Sequence, residues 1–361
     1  ITASHNPQEW NALKFLNNEG EFISGEDGEI ILQLSAEGAV EYAPVERIGS
    51  YQKLVGYIQK HINLIMKLPL VQAKALQARK FRVVIDCINS TGALSMVPLL
   101  EQLGCEVIAI NDDVHGRFAH NPEPLPQHLV ELSQAVVQHR ADLGIAVDPD
   151  VDRLALVCED GEMFGEEYTL VAIADYVLGH YKGNTVSNLS STQALQVVTE
   201  KHGGKYYATA VGEVNVVRKM KQVQAVIGGE GNGGVIYPTL HYGRDAMVGI
   251  ALFLSYMLQE GKPTSHLRRL LPNYHIVKDK IQLTPNIDIP RLLEHLKQKY
   301  RVYPKNTEDG LKIFVDDNWV HLRPSNTEPI VRIYAESNFE VTALNLVAKI
   351  KSDVKEFLAE G

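Results

Sequence analysis

Short β-branched, apolar segments alternate with segments of helical periodicity along most of the 361-residue chain. FRVVIDC (81–87) is followed by the helix-like ALSMVPLLEQLG (93–104) and then by CEVIAIN (105–111). A strand, a helix and a second strand in this order are typical of a β-α-β unit. From about residue 275 strands dominate, with helices predicted at 289–299 and 340–358. The sequence therefore predicts stacked α/β units with mostly parallel sheets, followed by a distinct C-terminal α+β domain.

Three further segments predict local structure. The stretch ADLGIAVDPDVDRLALVCEDGEMF reads as two strands, 142–147 and 153–158, joined by an acidic turn, and 167–181 reads as a helix. Residues 51–68 carry apolar side chains at helical spacing. Residues 15–34 contain short apolar runs broken by GEDGE and similar turn sequences, so no long element is predicted there.

The composition excludes several classes of protein. The net charge of −9 argues against nonspecific binding to nucleic acid or to an anionic membrane, because both need a basic surface. The apolar run MVGIALFLSYML (247–258) is too short to span a bilayer and predicts a buried helix. Cys87, Cys105 and Cys158 are odd in number and widely spaced, which argues against a disulfide framework and favours a reducing, cytoplasmic compartment.

Three carboxylates at alternate positions follow an apolar strand in DPDVDR (148–153). A turn can fold Asp148, Asp150 and Asp152 around one ion, whereas a straight strand would set them in a row. Hard divalent cations such as Mg²⁺ take oxygen ligands, and a cation relieves the repulsion between close carboxylates. The motif therefore predicts a metal site rather than a solvated acidic turn.

The loop IGGEGNGG (227–234) carries Glu230 and Asn232 among glycines that let a ligand approach the backbone. A carboxylate and an amide together can bind vicinal sugar hydroxyls, since one accepts hydrogen bonds and the other also donates them. The spacing fits neither the P-loop nor the dinucleotide fingerprint. A flexible hairpin explains this loop equally well when it is considered alone.

The turn LRPSNTEP (322–329) concentrates groups that bind a phosphate dianion. It offers a guanidinium fork, two hydroxyls, an amide and backbone N–H groups. The residues concerned are Arg323, Ser325, Asn326 and Thr327. A polar β-turn is the alternative interpretation.

The chain opens with ITASHNP (1–7), in which Ser4 lies among small and turn-forming residues. A serine hydroxyl is a poor nucleophile unless it is activated, and the Gly-x-Ser-x-Gly elbow of hydrolases is absent from this stretch. Alone, Ser4 would be interpreted as a helix-capping residue and His5 as an ordinary turn histidine. The four motifs gain weight together, because they offer a phosphorylatable serine, a metal triad, a hydroxyl binder and a phosphate binder.

From TASHNP to RPSNTEP, the chain resembles the α-D-phosphohexomutase family, which includes phosphoglucosamine mutase, phosphomannomutase and phosphoglucomutase. The resemblance implies an α/β, multi-domain architecture with mixed sheets and a C-terminal α+β domain around a central cleft. The expected domains are 1–55, 56–165, 166–272 and 273–361. The first would be the remainder of an N-terminally truncated α/β domain with the phosphoserine loop, and the others would carry the metal, sugar and phosphate loops in turn.

The resemblance also implies an activity: interconversion of hexose 6-phosphates and 1-phosphates through a hexose 1,6-bisphosphate. Ser4 would be the phosphoserine that donates and reaccepts phosphate and would complete a Mg²⁺ site with Asp148, Asp150 and Asp152. Arg153 would assist near the transferring phosphoryl group, and Lys14 would take part in proton transfer. Residues of the other two loops would bind the substrate: Glu230 and Asn232 its hydroxyls, and Arg323, Ser325, Asn326 and Thr327 its distal phosphate.

The sequence departs from the family pattern in the sugar loop, where Asn232 replaces a serine and Gly234 replaces a histidine. His241 could substitute for that histidine or could be structural. The loop favours a phosphoglucosamine or phosphomannomutase activity, with phosphoglucomutase as an alternative. A serine-dependent phosphatase and a non-catalytic sugar-phosphate binding fragment are the rival functions. The expected partner is a phosphorylated hexose, with no nucleic acid or membrane, and the expected oligomeric state is a monomer or homodimer.

Overall fold

The computed structural model describes residues 1–2, 4–38, 41–282, 288–325 and 330–360, with side chains described to residue 358. The chain forms two compact units. The first unit comprises Ile1–Met163 and Val235–Thr264, and the second comprises Phe164–Gly234 and Ser265–Gly361.

Helices and strands alternate along both units. In chain order, the helices of the described residues are α1 (Gly25–Glu37), α2 (Tyr57–Ile65), α3 (Ala73–Arg79), α4 (Gly92–Gln102), α5 (Val130–His139), α6 (Glu166–His180), α7 (Ala194–Lys201), α8 (Glu213–Val223), α9 (Ala246–Glu260), α10 (Thr264–Leu270), α11 (Ile289–Lys299) and α12 (Glu340–Glu360). The strands are β1 (Arg82–Asp86), β2 (Glu106–Ile110), β3 (Leu143–Val147), β4 (Leu154–Cys158), β5 (Asn184–Asn188), β6 (Tyr206–Thr209), β7 (Ala225–Glu230), β8 (Gly234–Ile236), β9 (His275–Gln282), β10 (Lys305–Asn306), β11 (Leu311–Val315), β12 (Asn318–Pro324) and β13 (Ile330–Ser337). Two short 3₁₀ helices lie at Val45–Arg47 and Pro126–His128.

A mixed sheet of order β2-β1-β3-β4 forms the centre of the first unit. β1 is parallel to both β2 and β3, whereas β4 returns antiparallel to β3. Every residue of β3 and β4 is buried, as expected for the continuous apolar runs LGIAV and LALVC. The last pair of this hairpin joins Val147 to Leu154, so the predicted acidic turn lies at the hairpin's end.

The second unit contains two sheets. Its parallel strands follow the order β6-β5-β7, which confirms the predicted β-α alternation. The tail forms an antiparallel sheet of order β10-β11-β12-β13-β9, and α11 and α12 share its core, for example through Leu296 and Ile350 against Ile333. The prediction of a C-terminal α+β domain is therefore confirmed.

The helix around residue 250 is buried as predicted, since every residue from Ala246 to Met257 is shielded from solvent. None of the helices in the described ranges has the length and apolar content needed to cross a bilayer. The three cysteines are free, with Cys87 and Cys158 buried and Cys105 half-buried.

The segment before residue 60 differs from expectation. α1 begins within the supposed turn GEDGE, because Ser24 and Asp27 form a capping box in which each side chain accepts the other's backbone N–H. The acidic residues of the first turn further suit a helix N-terminus. In the stretch predicted as helical over 51–68, the helix runs only from Tyr57 to Ile65 and follows Gly56 in a left-handed conformation.

Candidate active site

The acidic turn curls because its first carboxylate binds its own backbone. Asp148 Oδ1 accepts hydrogen bonds from the backbone N–H groups of Asp152 and Arg153, each at 3.1 Å. Val151 takes a left-handed φ of 60° within the same turn. As a result, oxygens of Asp148, Asp150 and Asp152 lie within 4.8 Å of one another.

One oxygen of each carboxylate is buried without a hydrogen-bond donor among the described residues. These atoms are Asp148 Oδ2, Asp150 Oδ1 and Asp152 Oδ1. Burial, with repulsion from Asp152 and Asp150, raises the pKa of Asp148 well above its usual value. Buried carboxylate oxygens that lack donors are costly in water-excluded surroundings, and a hard cation satisfies them. The donor set therefore fits a divalent metal ion.

Two cations of the same unit balance part of this charge. Lys14 Nζ lies 2.6 Å from Asp150 Oδ2 and 3.2 Å from Asp152 Oδ2, and Arg244 Nη2 lies 2.8 Å from Asp152 Oδ2. Burial opposes the charge of Lys14, but the attraction of Asp152 and Asp150 outweighs it and raises the lysine pKa. Lys14 is therefore held as an ammonium ion.

Ser4 is tied to the acidic turn through Thr2. The Ser4 N–H donates to Thr2 Oγ1 at 2.8 Å, and the Thr2 hydroxyl donates to Asp150 Oδ2 at 3.0 Å. Ser4 itself has a φ of 51°, in the sparsely populated left-handed region. The structure thus brings the serine loop and the acidic turn together.

His5 connects Ser4 to Arg153. Its Nδ1 lies 3.2 Å from Ser4 Oγ and 2.8 Å from Arg153 Nη2. A guanidinium only donates, so this ring nitrogen is an acceptor. Burial, followed by the charge of Arg153, lowers the pKa of His5, which favours a neutral ring. Arg153 also pairs with Glu123 at 3.2 Å and lies 3.9 Å from Asp148, which fixes its guanidinium beside the serine.

The predicted sugar loop of the second unit is built differently. Glu230, at the end of β7, is 5% exposed, and its Oε1 accepts from Asn188 Nδ2 at 3.0 Å and from the Gly212 N–H at 3.1 Å. Asn232 Oδ1 accepts the Gly234 N–H at 3.2 Å, which closes the turn. Hydrogen bonds from neutral donors therefore contribute to the order of this loop.

The predicted phosphate-binding residues are described only in part. Arg323, at the end of β12, places Nε 3.4 Å from Asp309 Oδ2, which also accepts the Val211 N–H at 2.9 Å. Ser325 donates its N–H to the Ile330 carbonyl at 3.0 Å. Asn326 and Thr327 lie outside the described residues.

Adjacent backbone groups link the two predicted substrate loops. Val211 donates to Asp309, the partner of Arg323, and the next residue, Gly212, donates to Glu230. The sugar loop and the end of β12 are thereby connected through two neighbouring peptide groups.

Four residues near these sites were not expected from the sequence: Thr2, His5, Arg244 and Asp309. Arg244 lies three residues after His241 and directly before Asp245, the N-cap of α9. This run of ionisable residues is the sequence signal for Arg244. The Nε2 atom of His241 lies 3.1 Å from Asp245 Oδ2. The suggestion that His241 substitutes for the family's histidine stays a prediction.

Family models match three parts of the chain. Residues 56–161 match domain II and residues 165–274 match domain III of phosphoglucomutase/phosphomannomutase, both described as alpha/beta/alpha domains, and residues 280–352 match the C-terminal domain.

Curated relatives and solved structures agree with these matches. A probable phosphoglucosamine mutase of Methanopyrus kandleri is 33% identical over 351 residues, which cover 96% of this chain and 76% of the relative. A phosphoglucomutase/phosphomannomutase of Thermococcus kodakarensis is 34% identical over 347 residues, with coverages of 95% and 75%. The crystal structure of a phosphoglucomutase/phosphomannomutase family protein from Burkholderia thailandensis superposes with a TM-score of 0.84 at 25% identity, covering 98% of this chain and 74% of that one.

The fold and the acidic turn define an α/β sugar-phosphate enzyme with a candidate metal site. The chain belongs to the phosphoglucomutase/phosphomannomutase family, the α-D-phosphohexomutases. It is thus a phosphohexomutase, an isomerase that moves a phosphoryl group between positions of one hexose.

Proposed function

We propose that this phosphohexomutase interconverts glucosamine 6-phosphate and glucosamine 1-phosphate, with the mannose phosphates as second substrates. The observation that carries the reaction is the convergence of three buried carboxylate oxygens that lack donors among the described residues, joined through Thr2 to the Ser4 loop. The loop GEGNGG and the names of the archaeal relatives support the choice of sugar.

In the proposed reaction Ser4 carries a phosphoryl group. The bond between Ser4 Oγ and phosphorus breaks, and a new bond forms to the C1 hydroxyl oxygen of the hexose 6-phosphate, whose proton leaves to a nearby base. The product is a hexose 1,6-bisphosphate. After it reorients, its 6-phosphoryl group returns to Ser4 Oγ, and the 1-phosphate leaves with a proton on the O6 atom. A trace of the bisphosphate would therefore activate the unphosphorylated protein.

Asp148, Asp150 and Asp152 would hold Mg²⁺, with a phosphoserine oxygen of Ser4 completing its ligands. The bound ion would neutralise charge on the transferring phosphoryl group. Metal binding would explain why each carboxylate keeps one oxygen without a donor among the described residues.

The cations near Ser4 take separate roles in this proposal. Arg153, held by Glu123 beside His5, would stabilise the phosphoryl oxygens. Lys14 is an ammonium ion and so suits donation of a proton to the departing oxygen rather than removal of one. The neutral ring of His5 would orient the Ser4 oxygen through Nδ1, and Lys14, neutral after its donation, would take back the serine proton in the second transfer.

The second unit would recognise the substrate. Glu230 and Asn232 would bind the sugar hydroxyls, and Arg323, Ser325, Asn326 and Thr327 would hold the phosphate that is not being transferred. The shared link through Val211 and Gly212 supports this pairing, because it fixes Glu230 and the partner of Arg323 relative to each other. We further propose a cytoplasmic location, in keeping with three free cysteines.

The test is a ³¹P NMR assay with Mg²⁺ and a trace of the matching 1,6-bisphosphate. Glucosamine, mannose and glucose 6-phosphates are compared as substrates. We expect the glucosamine 1-phosphate to form fastest and mass spectrometry to find phosphate on Ser4. Faster turnover of glucose 6-phosphate would overturn the proposed specificity, and phosphate on no serine would overturn the proposed mechanism.

A further inference from the structure

A second group of metal-ligating side chains converges in the first unit, and none of its members belongs to the acidic turn. His61 comes from α2, and His241 and Asp245 come from the segment that leads into α9. The Nε2 atoms of His61 and His241 lie 2.7 Å and 3.1 Å from the same oxygen, Asp245 Oδ2. The three candidate ligand atoms all lie within 4.8 Å of one another.

Asp245 is oriented by the backbone. It is the N-cap of α9, and its Oδ1 accepts from the N–H groups of Met247 at 2.7 Å and Val248 at 3.2 Å. The residue is 6% exposed, so it cannot turn to solvent. Its Oδ2 is thereby aimed at the two imidazoles. Backbone hydrogen bonds to a metal-binding carboxylate are a common means of fixing the ligand.

The two nitrogen-to-oxygen separations are close to those between neighbouring ligands of a tetrahedral metal site. Zinc bonds of about 2.0–2.1 Å to nitrogen and oxygen place neighbouring ligand atoms about 3.3 Å apart. The observed nitrogen-to-oxygen separations of 2.7 Å and 3.1 Å need only a small outward rotation of the rings. The rings are free to make it, because the side chains of His61 and His241 are 29% and 42% exposed. The open side leaves room for water as the fourth ligand.

Ligand chemistry separates this cluster from the acidic turn. Two imidazoles and one carboxylate suit zinc and related transition metals, whereas three carboxylates suit magnesium. The two ring planes are tilted by 48° with centroids 5.7 Å apart, so the rings meet at an angle rather than stack. Both Nε2 atoms contact the same oxygen, Asp245 Oδ2.

We propose that His61, His241 and Asp245 form a Zn²⁺ site. A bound ion would fasten α2 to the N-terminus of α9 and fix the segment that carries Arg244, whose guanidinium reaches Asp152. The site does not depend on the mutase reaction, and it can be tested on the resting protein.

The experiment measures Zn²⁺ bound to the full chain by equilibrium dialysis and elemental analysis, with excess Mg²⁺ to occupy the acidic turn. Wild type is expected to bind one equivalent. His61→Gln and His241→Gln are expected to weaken binding at least tenfold and the double variant to abolish it. Glutamine can still donate to Asp245, so these variants keep the local hydrogen bonds. The exposed His139→Gln is the matched control and should bind as wild type does.

Two readouts make the result decisive. Co²⁺ in the wild-type site should show the visible absorption of a four-coordinate ion, and the double histidine variant should lose it. Circular dichroism checks that each variant is folded. The proposal is overturned when the folded double variant retains the equivalent of Zn²⁺, or when Asp150→Asn removes it instead, since zinc would then occupy the acidic turn. A wild type that binds no Zn²⁺ also overturns it and leaves two histidines that are hydrogen-bonded to Asp245.

Discussion

The proposed serine and metal site of the first unit and the proposed sugar loop of the second unit differ in how their buried carboxylates are stabilised. Around Asp148, Asp150 and Asp152, charge is concentrated and three buried oxygens lack donors among the described residues. The buried carboxylate of Glu230 accepts hydrogen bonds from a side-chain amide and from a backbone N–H. The first arrangement leaves carboxylate oxygens that fit a metal ion in addition to Lys14 and Arg244, whereas hydrogen bonds within the second unit hold Glu230 in place.

The difference matches the separate roles proposed for the two regions. Groups whose contacts strengthen as charge develops on the reacting atoms stabilise chiefly the transition state, and so raise kcat. A preformed network that holds polar groups in place contributes to ground-state binding, and so to KM. Variants in the two regions are therefore expected to separate along these two kinetic parameters.

The largest effect is expected from Ser4→Ala, which removes the proposed phosphoryl carrier. Turnover should fall on the order of a thousandfold or more, as with other catalytic nucleophiles. Binding of the hexose phosphate, measured by isothermal titration calorimetry, should change less than about threefold, because the second unit is untouched. The exposed Ser50→Ala is the control. Retained turnover in Ser4→Ala, or loss of binding and turnover together, would break the proposed division.

A smaller loss is expected from Asp150→Asn. The amide keeps the shape of the side chain but removes one charge from the metal cluster, and it weakens the contacts with Lys14 and Thr2. The apparent affinity for Mg²⁺ should fall about 10- to 100-fold, and saturating Mg²⁺ should restore part of kcat. Activity is followed against Mg²⁺ concentration, with the exposed Asp113→Asn as the control. An unchanged Mg²⁺ dependence would remove Asp150 from the metal site.

The substitution Glu230→Gln tests the proposed substrate-binding role of the second unit. Gln can still accept from Asn188 and Gly212, but it no longer offers a charged acceptor to a sugar hydroxyl. A hydrogen bond to a charged group is worth roughly 1.5–3 kcal/mol, so KM should rise about tenfold or more while kcat changes little. Steady-state kinetics decide the matter. A fall in kcat with unchanged KM would place Glu230 in the chemical step.

Much of the architecture could be predicted because it is encoded locally. Apolar runs such as LGIAV and LALVC specify buried strands, and three carboxylates between them specify a hairpin end where charge must be satisfied. Local sequence patterns gave a wrong prediction at α1. The two glycines of GEDGE suggested a turn, but the capping box of Ser24 and Asp27 stabilises a helix there.

The unpredicted site residues share a different cause. Thr2 meets Asp150 across 148 positions of sequence, and Arg244 meets Asp152 across 92. No spacing rule connects residues so far apart, since their meeting depends on how the whole unit folds. Motifs therefore identify the groups whose chemistry is unusual in itself, such as the acidic triad, and miss ordinary residues that tertiary structure places beside them.

The smallest expected effect concerns a buried lysine of the second unit. Lys312 is 7% exposed, donates to the Leu189 carbonyl at 2.7 Å and lies 3.8 Å over the ring of Trp319. Burial outweighs the attraction of Glu336 and lowers the pKa of Lys312 to about 7.

The pH dependence of stability follows from this lowered pKa. An unfolded lysine titrates near 10.4, so between about pH 7 and pH 10 the unfolded chain binds a proton that the folded chain does not. The contribution of Lys312 to the free energy of unfolding must therefore rise with pH in that window, by about 2 kcal/mol from pH 7 to pH 9. Lys312→Met should flatten this rise in chemical denaturation, whereas the exposed Lys355→Met should leave it unchanged. An equal slope in Lys312→Met and wild type would mean that Lys312 stays charged in the folded protein.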